Sequence, residues 1–136
     1  MRGPDTKAPR RPGRRALALA LVGAALVLSG CGGAGTELSD GATQADIEAG
    51  RSAFERSCAA CHGIGGVGTE QGPPFLHEVY EPSHHADGAF VLAVRNGVRA
   101  HHWGFGDMPP QEGVSDEEIA AIVAYVRAIQ RDAGIE

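Results

Sequence analysis

The residues best suited to chemistry are two thiols and an imidazole in the run Cys58-Ala59-Ala60-Cys61-His62. Two thiols separated by two residues fit within one turn of backbone, so both can reach the vinyl groups of one porphyrin. The histidine that follows then points at the porphyrin iron. This C-x-x-C-H pattern is typical of covalent c-type haem attachment. It predicts one covalent haem c, with thioethers at Cys58 and Cys61 and His62 as the proximal iron ligand.

Two other chemistries use closely spaced thiols, namely a thioredoxin-like dithiol and a zinc site. The chain has only three cysteines, and the third, Cys31, lies in a segment predicted to carry a lipid. A Cys₄ or Cys₃His zinc site therefore lacks the thiols it needs. No strand–helix–strand pattern surrounds the motif, as a thioredoxin-like fold would require. A dithiol would also leave a short domain without the apolar mass that a haem supplies.

Counting methionines narrows the choice of a second axial ligand. The chain contains only Met1 and Met108, and Met1 belongs to a leader segment. If the iron has a methionine ligand, that ligand is Met108. Its surroundings, Gly106-Asp107-Met108-Pro109-Pro110, are rich in helix breakers, which argues against the alternative that Met108 fills a core on an apolar helical face.

From residue 46 to about residue 130 the sequence resembles the monohaem class I cytochromes c. Beside the attachment motif, Gly72-Pro73, Met108-Pro109 and Tyr125 stand in the order typical of that family. The resemblance implies a small all-α fold, with three to four helices wrapped around one covalent haem. It also implies that Met108 is the distal ligand and that the Pro73 carbonyl accepts the ring N–H of His62, which fixes the tautomer. Phe75 stands where the family usually has leucine, so the haem packing is expected to differ there.

Three helices are predicted from periodicity and capping signals. The first covers residues 46–57, with Thr43 as N-cap and an apolar face at spacings of three and four. Another helix is predicted from about residue 88 to residue 96, with Asp87 as its N-cap and Gly97 as the residue that ends it. No segment shows the alternation of a strand, so the predicted class is all-α. The face of the first helix consists of Ile47, Gly50, Phe54 and Cys58.

The last helix gives the strongest helical signal. Ser115 followed by Glu118 forms a capping box at its start. Its apolar stripe consists of Ile119, Ile122, Val123, Val126 and Ile129, with Tyr125 at the edge. The resemblance implies that this helix crosses the first one where Gly50, Phe54 and Tyr125 meet.

The first 30 residues have the composition of an export signal. They hold six basic residues and one acid, followed by an uncharged run from Ala16 to Gly30, which is shorter than a permanent membrane span requires. Leu28-Ser29-Gly30-Cys31 resembles the lipobox of bacterial lipoproteins, which implies a diacylglycerol on Cys31. The alternative is an ordinary cleaved signal with a chance cysteine.

The predicted organisation is therefore a cleaved signal (1–30), a lipidated Cys31 with a flexible linker (31–45) and a cytochrome c domain (46–136). The lipid would hold the protein at the outer face of the cytoplasmic membrane. Residues 31–136 contain 6 basic and 16 acidic residues, a net charge of −10. Nucleic acid is a poor partner for such a surface. The charge predicts redox partners that carry a basic docking patch.

A haem whose two axial positions are filled has no open site for substrate, which predicts an electron carrier and not an enzyme. One alternative is a gas or peroxide sensor in which Met108 is displaced. Another is a haem-containing subunit of a larger oxidoreductase.

Five histidines are left unexplained: His77, His84-His85 and His101-His102. The pairs could bind copper or zinc, or one histidine could replace Met108. Solvated or propionate-bonding side chains are the favoured interpretation, and the indole N–H of Trp103 is a candidate contact for a buried propionate.

Overall fold

The computed structural model of the protein describes residue 39 and residues 41–136. The described chain forms four α-helices: α1 (Gln44–Ser57), α2 (Ala59–His62), α3 (Asp87–Asn96) and α4 (Asp116–Asp132). Two 3₁₀ turns, Ile64–Gly66 and Glu78–Tyr80, and an isolated antiparallel bridge between Val98 and Met108 complete the regular structure of these residues. The predicted all-α class is confirmed.

The predicted signal segment and the lipid-bearing Cys31 lie outside the described residues. Within the described part of the chain, no helix combines the length and apolarity needed to span a membrane.

Two reciprocal capping boxes fix where the long helices begin. At α1 the Thr43 hydroxyl accepts from the Asp46 N–H at 3.3 Å, while the Asp46 carboxylate accepts from the Thr43 N–H at 2.8 Å. Ser115 and Glu118 repeat this exchange at α4, at 3.2 and 3.0 Å. Each box satisfies N–H groups that have no partner inside the helix. Because Thr43 caps α1, the helix begins at Gln44, two residues before the predicted start of the domain.

The close crossing of α1 and α4 depends on Gly50. A Cβ atom at this position would lie 1.9 Å from the carbonyl oxygen of Ala121 and 3.0 Å from Cβ of Tyr125. Next to it the rings of Phe54 and Tyr125 pack with their centroids 5.4 Å apart. The predicted meeting of Gly50, Phe54 and Tyr125 is therefore confirmed in the structure.

The hydrophobic core lies between these two helices and α3. Phe54 is fully buried, and its ring touches that of Phe75 edge-on at 5.9 Å. The core extends from the α1–α4 crossing to α3 and consists of Ala53, Phe54, Phe90, Val94, Ile119, Ile122, Val123, Tyr125 and Val126. One side of this core faces a cavity rather than another layer of protein.

The prediction that Asp87 caps α3 is wrong. Ala86 is the N-cap, and Asp87 is the first residue of the helix. The Asp87 carboxylate is buried and accepts a hydrogen bond from Nε of Arg127 at 2.7 Å. It also accepts from the backbone N–H and the hydroxyl of Ser39, at 3.0 and 3.1 Å. The Asp87 carboxylate therefore pairs with Arg127 instead of capping the N–H groups of its own helix.

Arg127 connects three segments of the chain. Its guanidinium donates to the carbonyl oxygens of Tyr80 and His85 and to Oε1 of Gln130, in addition to Asp87. Burial by itself would raise the pKa of Asp87, but the hydrogen bonds from Arg127 and Ser39 outweigh it and lower the pKa. The buried charges are therefore paired and hydrogen-bonded, as a low-dielectric interior requires.

Candidate haem site

The residues of the C-x-x-C-H motif form a single helical turn. The N–H groups of Cys61 and His62 donate to the Cys58 carbonyl at 3.1 and 3.0 Å. His62 ends α2 and is 92% removed from solvent. Its Nδ1 lies 2.9 Å from the Pro73 carbonyl oxygen, which can only accept, so Nδ1 carries the proton. The lone pair of the ring is therefore on Nε2, which is free to bind a metal.

The surroundings of His62 favour the metal-binding form of its ring. Burial lowers the pKa of His62, even though the hydrogen bond to Pro73 opposes the shift. A neutral imidazole is the form that ligates iron. Phe75, which stands where the resemblance predicts leucine, stacks on the His62 ring with centroids 4.4 Å apart and planes at 22°. Phe75, the residue that differs from the family pattern, therefore contacts the proximal histidine directly.

The two thiols differ in their surroundings. Cys58 is half-buried and contributes to the cavity wall, whereas Cys61 is exposed and does not. Burial, with a smaller contribution from Cys61, raises the pKa of the Cys58 thiol to about 11. Dithiol oxidoreductases instead need a thiol whose pKa is lowered. This difference argues against the thioredoxin-like alternative.

The cavity beside α2 has a volume of about 440 Å³, within the range of about 300–1,000 Å³ that is usual for cofactor sites. Its wall is mostly apolar and includes side chains from α1, α3 and α4. The apolar residues include Phe54, Phe75, Phe90, Val94, Val98, Ile119, Ile122, Val123 and Val126. Cys58, His62, Pro73, Trp103 and Met108, all singled out from the sequence, contribute to the same wall.

Met108 is fixed on this wall by backbone pairing. Its N–H and C=O exchange hydrogen bonds with Val98, each 2.9 Å long. Gly97, which also ends α3, allows this pairing. It has a φ of +74°, and a Cβ at this position would lie 2.5 Å from the Met108 carbonyl oxygen. A side chain at residue 97 would therefore displace the segment that carries Met108.

Trp103 contributes a buried donor to the wall. Among the described residues, its buried indole N–H makes no hydrogen bond of regular geometry, although the Tyr80 hydroxyl is close enough for Trp103 to oppose the rise in the pKa of Tyr80 that burial causes. Buried polar groups without partners are rare in native proteins and call for an explanation. A haem carries two propionates, whose oxygens are acceptors that suit this donor. The apolar volume, the two thiols, the free His62 nitrogen and this N–H together fit a covalently bound haem.

These features define a small all-α protein built around a c-type haem. The chain matches the cytochrome c family over residues 47–130, and it belongs to that family. It is a class I monohaem cytochrome c and binds one haem c covalently. The predicted family, fold and cofactor are thereby confirmed. Cytochrome c domains are typically extracytoplasmic.

Among solved structures, the chain is similar to cytochrome CL from the marine methylotrophic bacterium Methylophaga aminisulfidivorans. The two share 30% sequence identity and superpose with a TM-score of 0.52. The match covers 62% of this chain and 53% of that one. The chain thus spans about half the length of that cytochrome.

Proposed function

We propose that this protein is a lipid-anchored electron carrier whose haem iron is bound by His62 and Met108. The observation that carries the proposal is that both side chains lie on the wall of one apolar cavity, beside the Cys58 thiol. When bound, the haem supplies reversible one-electron oxidation and reduction. The protein's part is to hold the iron ligands and exclude water.

The two ligands are held by different elements. The Pro73 carbonyl orients the His62 ring, and second-shell bonds of this kind raise the basicity of a metal-binding histidine. The Val98 bridge holds Met108. Histidine–methionine ligation raises the reduction potential relative to other axial pairs. A ligand set held in this way would let the iron change charge with little rearrangement.

The contact with redox partners would use the exposed surface beside the attachment turn. Ile64 and Val67 lie two and five residues after the motif and are 73% and 63% exposed, so the surface of this segment includes two large apolar side chains. Four of the six arginines in residues 31–136 are held in ion pairs, with Glu55, Glu118, Asp116 and Asp87. Few arginines are therefore available to meet an acidic partner. The net charge of −10 would instead orient the protein toward a basic patch.

Replacing the distal ligand tests the proposed ligation. In Met108→Ala, the weak far-red band that arises from sulfur-to-iron charge transfer should disappear from the ferric spectrum, and the reduction potential should fall. Leu92→Ala is the matched control, because Leu92 lines the same cavity but offers no ligand atom; this variant should keep the band. A wild-type ferric spectrum that lacks the far-red band and is unchanged in Met108→Ala would refute the assignment and point to His101 or His102.

Carbon monoxide distinguishes a carrier from a sensor. With both axial positions filled, the ferrous wild-type protein should react weakly at neutral pH, while Met108→Ala should bind the gas readily. Strong binding by the wild-type protein would favour the sensor alternative.

A further inference from the structure

The fold gathers four histidines that are distant in the sequence. His84 and His85 follow the 3₁₀ turn Glu78–Tyr80, while His101 and His102 lie in the loop closed by the Val98–Met108 bridge. The His102 ring lies 5.2 Å from the His84 ring, 5.3 Å from the His85 ring and 4.3 Å from the His101 ring, between centroids. Neither haem attachment nor the proposed axial ligation uses these side chains.

Three of these histidines have ligand nitrogens close enough for one metal ion. One nitrogen from each of His84, His85 and His102 lies within 4.8 Å of the other two. The Nε2 atoms of His84 and His102 are 3.3 Å apart. Two nitrogens bound tetrahedrally to one ion at about 2.0–2.1 Å are separated by about 3.3 Å. This pair already has the separation of two ligands, and the His85 nitrogen, within 4.8 Å of both, would have to move closer.

Backbone hydrogen bonds hold the ring of His85 in a ligand-ready tautomer. Its Nδ1 lies 2.6 Å from the Val79 carbonyl oxygen and must donate to it, which leaves the lone pair on Nε2. His101 makes the same kind of bond, from Nδ1 to the Arg99 carbonyl at 2.8 Å. Metal-binding histidines almost always donate their other ring N–H to such an acceptor.

We propose that His84, His85 and His102, hereafter the histidine cluster, bind one divalent transition-metal ion of the class that imidazole prefers, such as Zn²⁺ or Cu²⁺. Three protein ligands leave the fourth position to solvent. His85 and His102 also line the haem cavity. A bound ion would therefore place positive charge beside the haem site.

Two simpler roles compete with metal binding. The 3.3 Å contact between His84 and His102 could be a hydrogen bond through one shared proton, or the rings could bond the haem propionates. Both roles occupy the nitrogens that a metal needs. A test on the haem-loaded protein therefore separates them from the proposed site.

Titration with Zn²⁺ alone tests the histidine cluster. The full chain, haem-loaded, free of metal and without an affinity tag, is titrated with zinc chloride by calorimetry. One ion per chain should bind. His84→Gln, His85→Gln and His102→Gln should each weaken binding roughly tenfold or more. The matched control is His77→Gln, which removes a histidine outside the cluster and should leave the affinity unchanged.

Ligand identity is checked independently of affinity. The zinc K-edge absorption spectrum of the complex should show three imidazole nitrogens at about 2.0 Å. The proposal is overturned if no saturable binding occurs, if His102→Gln binds as tightly as wild type, or if fewer than three imidazoles are found. His85 is partly buried, so the zinc affinity of His85→Gln is interpreted only if its haem spectrum matches that of the wild type. If that spectrum changes, the test rests on the variants of His84 and His102, which are exposed. Met108 is not in the cluster, so failure of zinc binding leaves the Met108 assignment standing. If His102 instead bound the iron, His102→Gln would change the haem spectrum, which distinguishes the two failures.

Discussion

Gly50→Ala should destabilise this protein, although alanine is the better helix former by about 1 kcal/mol. The new methyl group would lie 1.9 Å from the Ala121 carbonyl oxygen and 2.4 Å from its carbon, whereas ordinary contacts begin at 3.4 Å. Both are backbone atoms, so no change of rotamer relieves the overlap. The α1 and α4 helices must separate, and the contact between Phe54 and Tyr125 must loosen with them.

The size of the effect follows from two opposing terms. Overpacking a core costs about 1–3 kcal/mol, and an overlap with backbone belongs at the upper end of that range. Subtracting a propensity gain of about 1 kcal/mol leaves a net loss of about 2 kcal/mol. For a domain of about this size, each kcal/mol lowers Tm by about 4–8 °C, so the expected drop is about 8–16 °C.

Thermal and guanidinium unfolding of the haem-loaded protein, followed by far-ultraviolet circular dichroism, measures this loss. Gly88→Ala is the matched control, because Gly88 is an exposed helical glycine at which an added Cβ meets nothing within 4 Å. That variant should be unchanged or stabilised by up to about 1 kcal/mol. If Gly50→Ala were as stable as wild type, the α1–α4 contact could not be as close as described.

Three further expectations concern the buried ion pair, the anchor and the partner. Asp87→Asn should cost about 3–5 kcal/mol at neutral pH, since it leaves the buried Arg127 without a counter-charge. The folded pKa of Asp87 is lowered, so the ion pair stabilises the wild type fully above about pH 4, the unfolded value, and this stability is lost as pH falls through the folded pKa. Chemical unfolding at several pH values should show the difference between variant and wild type narrowing only in that acidic range; a constant difference would contradict it. Cys31→Ala should release soluble, haem-loaded protein from the membrane fraction, and equal membrane retention of both forms would rule out the lipid anchor. Electron transfer to the purified partner should slow as salt is raised, because screening limits surface fields to about 8 Å at physiological ionic strength; rates independent of salt would instead indicate an apolar contact through Ile64 and Val67.

Much of the fold and the core of the haem site follow from the sequence, because their signals are local. Cys58, Cys61 and His62 lie in one helical turn, so their spacing alone predicts how they act together. Thr43 and Ser115 mark helix starts because a capping box closes within four residues. The resemblance to the family also predicts a hydrogen bond from His62 to the Pro73 carbonyl, and the structure contains this bond.

Other features were decided only by tertiary structure, because they join residues that no short-range pattern connects. The local sequence predicts that Asp87 caps α3, but burial beside Arg127, 40 residues further on, makes the ion pair outweigh capping. Gly97 carries a helix-stop signal, yet its second role exists only because the chain returns at Met108. The histidine cluster likewise joins side chains 18 residues apart. Two His-His pairs in a sequence do not show that their rings meet, because adjacent residues in a loop point in different directions and only the packed fold determines which nitrogens converge.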